Sequence, residues 1–377
     1  MNLRRFWAVA RKESIHIRRD PRSLGLAVGI PMLMLFMFGY ALNLDVNRVP
    51  FVVWDQSNSV ESRDFVARFT ATPYFNLRGT VTSYAEVERE IDTRDAWLAL
   101  ILPPDFAAHL TTGHAVAVQA IVDGADSNTA SIVLGYTQAI TMAHNQQIAI
   151  EQIHRLTGAS ATPALDLRTR IWFNPDLESK NFIVPGIMAV IMGLIAALLT
   201  SLTVAREWER GTMEQLISTP VRPVELILGK LLPYSVIGLA NMIIAVLMAV
   251  FVFQVPLRGS VSLLFAIGTL FIIATLAQGI VISAVARQQL LASQLAMIST
   301  FLPAFLLSGF TFAIANMPVA IQGLTHIIPA RYFVSVVKGI FLRGVGMEVL
   351  WPETLFLLGF ASVVLAVAIL KTPKRLA

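Results

Sequence analysis

The sequence predicts an α-helical polytopic membrane protein: six transmembrane helices, with an α/β extracytoplasmic domain inserted between helices 1 and 2. Three observations carry that expectation. Of the 377 residues, 55% are hydrophobic and only 14% charged, against about a quarter charged in ordinary soluble domains. Stretches without Asp, Glu, Lys or Arg recur at 23–44, 181–205, 231–257, 259–286 and 288–330, and about 20 apolar residues suffice to cross a bilayer. Between the first two of these, residues 45–180 regain charge and their apolar runs shorten. The net charge of +5 fits basic residues flanking apolar runs, so a lipid bilayer and no nucleic acid is the expected partner. The absence of cysteine excludes a disulfide scaffold, a thiolate metal site and a Cys nucleophile.

Residues 1–22 read as a cytoplasmic amphipathic interfacial helix. Leu3, Phe6, Trp7, Ala10 and Ile17 fall near one helical face, with Arg4, Arg11, Lys12 and Arg18 around the rest, a pattern suited to the headgroup layer. Seven basic residues precede the first apolar run and place the N-terminus in the cytoplasm. That run, 23–44, exceeds the ~7–15 residues of a signal core and is expected to remain as transmembrane helix 1.

Residues 45–180 form the extracytoplasmic α/β domain. Strands are expected at 49–54, 75–77, 96–102 and 116–122, and helices at 59–69, 83–92 and 104–112. Ser83 and Glu86 are spaced as a capping box. Strand–helix alternation favours a small α/β layer with crossover connections, and a long helix at 128–156 then leads away. Asp123-Gly124-Ala125-Asp126-Ser127-Asn128 reads as a turn and helix cap, lacking the length and final Glu of a calcium loop. His109, His114, His144 and His154 have no metal-site spacing, and neither a metal nor a cofactor is expected in this chain.

Residues 181–371 are expected to hold five transmembrane helices, the last at 354–370, before a cytoplasmic tail at 372–377. With the N-terminus inside, the 206–230 loop is also cytoplasmic. Arg331, Lys338 and Arg343 then fall outside, so the segment 313–345 reads as re-entrant or interfacial. Gly229-Lys230 is not a phosphate loop, because Val224 and Leu231 stand where that pattern needs Gly and Ser/Thr. Ion-coupled carriage is disfavoured by spans without ionisable residues and by the lack of an inverted repeat. Asn241, Gln278 and Gln294 are the polar exceptions, suited to helix–helix hydrogen bonds or to contact with a cargo along a translocation path. The loop itself reads as a rigid elbow. Gly211 stops one helix, Thr212 opens a short one as a capping box with Gln215, and Pro220 and Pro223 launch the next, with Glu225 in its first turn.

Arg206-Glu207-x-Glu209-Arg210-Gly211-Thr212-x-Glu214-Gln215-Leu216, Thr219-Pro220, Glu225 and Gly229-Lys230-Leu231-Leu232-Pro233-Tyr234 resemble the signature of ABC-2 type transporter permeases. Arg11-Lys12-Glu13, Arg19-Asp20-Pro21-Arg22, Ile101-Leu102-Pro103-Pro104-Asp105-Phe106, Asp123-Gly124-Ala125-Asp126 and Pro329-Ala330-Arg331-Tyr332-Phe333 extend the resemblance over nearly the whole chain. It implies an exporter subunit of the bacterial inner membrane, with no ATPase site of its own. ATP is then bound by a separate cytoplasmic ATPase subunit, and a second permease chain, identical or paralogous, completes the pathway. The interfacial helix and the loop contact the ATPase, which assigns coupling to Arg206, Glu207, Glu209, Gly211, Thr212 and Glu214. The large outer domain resembles a subgroup linked to multidrug export, sometimes with a periplasmic adaptor protein. Lys338 stands where arginine is expected, keeping the charge without the bidentate fork. The apolar spans favour a lipophilic or amphipathic substrate. The alternative reading is a non-transporting membrane receptor or assembly factor with an outer sensor domain, which forms no complex with an ATPase.

Overall fold

A computed structural model describes residues 2–41, 46–112, 114–157, 172–174 and 178–372. Residues 42–44 of the first expected span, 158–171 of the expected outer domain, the His154 side chain and tail residues 373–377 lie outside the described residues. The chain forms two compact units, Met1–Asn43 with Arg170–Ala377, and Leu44–Thr169. The first unit opens with α1 (Leu3–Arg18) and α2 (Pro21–Ala41).

The second unit runs β1 (Val49–Asp55), α3 (Val60–Thr70), β2 (Phe75–Thr80), α4 (Tyr84–Asp92), β3 (Leu98–Leu102), α5 (Phe106–Thr112), β4 (Gln119–Val122) and α6 (Ser127–Thr157). Its sheet has the order β2-β1-β3-β4, with β1 parallel to both neighbours and β4 antiparallel to β3. Alternation along the strands separates two apolar layers. Phe51, Val53, Leu98 and Leu100 face Phe65, Phe69 and Phe106 on one side, while Val52, Ala99 and Ile101 meet Val87 on the other. The last expected strand is shortened, since residues 116–118 stay outside the ladder. Ser83 does cap α4, accepting from Glu86 N at 3.3 Å. The Glu86 carboxylate, however, reaches one residue past the cap and takes Thr82 N at 2.6 Å. Asp126 accepts from Asn128 N at 3.1 Å and from the Thr129 hydroxyl at 2.5 Å. That is the local bonding of a turn and helix start, as the sequence suggests.

The remainder of the first unit holds α7 (Ser179–Glu209), α8 (Thr212–Ser218), α9 (Pro223–Leu247), α10 (Val261–Ala286), α11 (Gln289–Ala296), α12 (Leu302–Leu307), α13 (Val319–Thr325), α14 (Pro329–Lys338) and α15 (Met347–Lys371). Single π-helical turns prolong α9 to Val252 and join α11 to α12. Among the described residues, five helical stretches are long and apolar enough to cross a membrane: Ser179–Glu209, Pro223–Val252, Val261–Ala286, Gln289–Leu307 and Met347–Lys371. The apolar part of α2, Ala27–Ala41, is shorter. The protein is thus a mostly helical, multi-pass membrane protein.

Helix α7 is the buried axis of this unit, and α10 lies tight against it. A Cβ on Gly279 would sit 2.1 Å from Thr200 Oγ1 and 2.4 Å from the Ala197 carbonyl. Small residues of this kind let membrane helices approach closely enough for polar contacts. Here the Thr200 hydroxyl donates to the Leu276 carbonyl at 2.8 Å. The expected re-entrant or interfacial segment comprises a 3₁₀ turn (Ile314–Asn316), α13, α14 and a π turn to Arg343. It is anchored by Phe333, which stacks on Phe271 at 4.2 Å. Lys338 donates to the Gly309 carbonyl at 3.2 Å, with its ammonium 3.4 Å from the Phe182 ring centre. No carboxylate pairs with it among the described residues, so the loss of an arginine fork costs no ion pair there.

Candidate coupling site

Helix α9 carries one ammonium inward. Lys230 is 1% exposed and donates to Glu13 of α1 at 2.7 Å and to Glu207 of α7 at 3.0 Å. Lys12 approaches the same oxygen, Glu207 Oε1, at 2.7 Å from the solvent side. An isolated buried charge is costly and needs a hydrogen-bonded counter-charge, so burial of Lys230 requires both α1 and α7 to stay docked. Two further contacts fasten α1. The Asn2 amide donates to Glu225 at 2.6 Å, and Arg5 donates to the Pro220 carbonyl. The helices touch at Gly229, where a Cβ would lie 2.8 Å from Val9 Cβ.

This docking divides the apolar residues of α1 between two sides. Val9 and Ala10 are buried against the protein together with Glu13, and Phe6 and Ile17 are half-buried. Leu3, Trp7 and Ile15 are exposed. The single apolar face read from the sequence is therefore two narrower ones, because the protein takes one strip and leaves the other to its surroundings.

The elbow is present, and its corner differs in detail. Gly211, not Thr212, is the N-cap of α8, in the left-handed region at φ 69°. A side chain is strained there, and glycine is not. The Thr212–Gln215 capping box does not form; the Thr212 hydroxyl donates to the Glu207 carbonyl at 3.3 Å instead. Met213 is the buried anchor of α8, in a cluster with Val9 and Leu226. Pro223 starts α9, and Glu225 accepts from Arg222 N at 3.0 Å as a cap.

The six residues expected to couple fall into three groups. Glu207 is buried in the charge knot and presents no surface to a partner. Arg206 and Glu209 both bond Gln289 at the start of α11: Arg206 Nε at 3.2 Å, and Glu209 to the Gln289 amide at 2.7 Å. Gly211, Thr212 and Glu214 form the corner and first turn of α8, with Gly211 and Glu214 exposed. Sequence reasoning missed Glu13, Lys230 and Gln289 as parts of the site. The available signal was Lys230 itself, a lone cation eight residues into an apolar helix.

The polar residues of the spans do not converge. Asn241 donates to the Ala27 carbonyl of α2 at 3.0 Å, a helix–helix bond. Gln294 is exposed on α11. Gln278 opens on a recess of about 310 Å³ walled by α7, α10, α12, α14 and α15. Its amide is 3.4 Å from the Thr300 hydroxyl, and its buried carbonyl oxygen has no partner among the described residues. Thr300 stands in the π turn between α11 and α12, a distortion often found at functional sites.

The model of the ABC-2 family transporter proteins matches residues 22–370. The chain belongs to the ABC-2 transporter family. It is 41% identical to the probable multidrug ABC transporter permease YbhS of Escherichia coli K12, over 100% of this chain and 98% of that one. It is 30% identical to the probable multidrug ABC transporter permease YbhR of the same strain, over 92% of each. It is also 28% identical to the inner membrane transport permease YhhJ, over 92% of this chain and 93% of that one. The charge knot of this ABC-2 protein lies within the segments that carry the family resemblance: Arg11-Lys12-Glu13, the Arg206–Leu216 motif and Gly229-Lys230.

Proposed function

We propose that this chain is the permease subunit of an ATP-binding-cassette exporter, driven by a separate cytoplasmic ATPase through α8 and α1. The observation that carries this is Lys230 bridging Glu13 and Glu207. It joins α1 to both helices that bracket α8, so force applied to the elbow reaches α7 and α9 together rather than bending a loose loop. Met213, on the buried side of α8, adds an apolar hold to the same body.

In this reading α2 supplies the sixth span, both termini are cytoplasmic in a bacterial inner membrane, and the α/β unit lies outside. A second permease chain completes the pathway, and the outer unit is where a periplasmic adaptor would bind. The cargo is lipophilic or amphipathic, consistent with the recess at Gln278: its wall is almost wholly apolar, with Thr275, Gln278, Ser299 and Thr300 as its polar side chains. Such a wall suits an apolar body bearing a hydrogen-bond donor.

The test is reconstitution with the ATPase subunit in vesicles. Glu214→Arg, at an exposed position, is expected to leave insertion intact while abolishing ATP-dependent transport. Full transport by that variant would refute coupling through α8. Failure of the chain to form any complex with an ATPase would favour a receptor or assembly factor.

A further inference from the structure

A basin of about 960 Å³ opens between α1, the end of α7 and the start of α11. Arg11, Lys12 and Arg19 line it from α1 and the residue after it, and Arg206 and Arg210 line it from the end of α7. Asp20 is the one carboxylate in the lining. Lys12 is held by Glu207, and Arg206 donates to Gln289. Among the described residues, Arg11, Arg19 and Arg210 enter no ion pair. His16 stands in the same lining. Partial burial, and next Arg206, hold its imidazole below the ordinary value of 6.5.

Several cations gathered without matching carboxylates repel one another, and an anion relieves that repulsion. The surroundings indicate which anion. The basin sits where a membrane span ends, and Ile15 is part of its wall. Ile15, Trp7 and Leu3 make the exposed strip of α1, spaced to share one face, and Leu290 is exposed beside Gln289. A headgroup with acyl chains satisfies both the charge and this apolar strip, whereas a free phosphate or an acidic protein segment leaves the strip bare. We propose that the basin binds the phosphate headgroup of an anionic phospholipid, whose chains lie along the outward strip of α1. The lipid then backs the helix whose opposite face holds the charge knot, and its occupancy sets how firmly α1 is seated. The proposal stands whether or not the chain exports anything.

Native mass spectrometry of the purified full-length chain, titrated with phosphatidylglycerol or phosphatidylcholine, tests it. Phosphatidylglycerol is expected to bind in clear preference. Near a membrane surface each basic residue is worth about a fivefold change in affinity. Arg11→Gln alone should therefore weaken phosphatidylglycerol about fivefold, and Arg11→Gln, Arg19→Gln and Arg210→Gln combined by about a hundredfold, with phosphatidylcholine unmoved and the melting temperature unchanged. The same three positions as lysine should keep most of the affinity. Equal binding of the two lipids, or an unchanged preference in the folded triple variant, overturns the proposal. Displacement by glycerol phosphate at the same concentrations as by phosphatidylglycerol would assign the basin to a soluble phosphate instead and equally overturn it.

Discussion

Lys230 and Glu13 stand 217 positions apart in the chain and meet at 2.7 Å in a site where both side chains are almost fully buried. The first amphipathic helix is thereby part of the membrane body and not an appendage resting on lipid. Together with Glu207 the pair makes the junction of three helices, and its energetics can be tested.

Lys230→Met leaves Glu13 buried without its cation and Glu207 with Lys12 alone. Breaking a buried pair in this way costs about 3–5 kcal/mol, so a large fall in the thermal midpoint in detergent is expected. Adding Glu13→Gln and Glu207→Gln to Lys230→Met removes the stranded charges and should recover most of the loss. A triple variant no more stable than the single one would mean that the charges are not what Lys230 contributes.

Gly229→Val should free α1 without altering any charge. The new side chain meets Val9, whose Cβ is 2.8 Å from the position of the added atom. Overpacking of a close contact typically costs about 1–3 kcal/mol. Faster proteolysis in the arm before Pro21, with the rest of the chain still protected, is the expected result. Unchanged cleavage there would show that α1 accommodates the wedge.

Glu209 and Glu214 are both exposed acids of the loop and should separate by role. Glu209 accepts from the first amide of α11, and losing such a cap costs about 1 kcal/mol. Glu214 touches no partner among the described residues, so Glu214→Ala should change stability by less than about 0.5 kcal/mol. Under the coupling reading Glu214→Ala nevertheless lowers transport-coupled ATP hydrolysis. Paired measurements of melting and ATPase stimulation decide whether that separation exists.

His144 should make the α/β unit acid-sensitive. Its ring lies 5.5 Å from Phe65, and burial, followed by Arg68, holds its pKa below 6.5. The unfolded chain therefore binds the proton more readily than the folded one. The contribution to stability is complete above pH 6.5 and declines as the pH falls through the lowered folded value. Hydrogen exchange at β1 and β3 should quicken on acidification toward pH 5, and His144→Leu should flatten that response. An equal slope in both proteins would remove His144 as its source.

Much of the architecture was legible because its causes are local. Charge-free length marks a span, short unbroken apolar runs mark β1 and β3, and Ser83 before an amphipathic run marks the start of α4. The misreadings arose where partners are distant or geometry chooses among near-equal donors. Thr212 had the right chemistry for a cap, yet the left-handed corner selected Gly211 and turned the Thr212 hydroxyl back to Glu207. Glu86 had two amides in reach and took that of Thr82. The triad of Glu13, Glu207 and Lys230 depends on tertiary contact, so no spacing rule could join it. What the sequence did show was a cation in apolar company, which physically implies a missing counter-charge.

The order in which the knot is made differs from the order in which it is drawn. Glu13 leaves the ribosome first, Glu207 much later, and Lys230 last. Until α9 arrives, Glu13 has no cation to meet it inside, and Glu207 has only Lys12 at the solvent edge. A chain interrupted before α9 keeps Glu13 uncompensated, which opposes premature seating of its first helix. Arrival of Lys230 closes the junction, so the seat of α1 is complete only once α9 has been made.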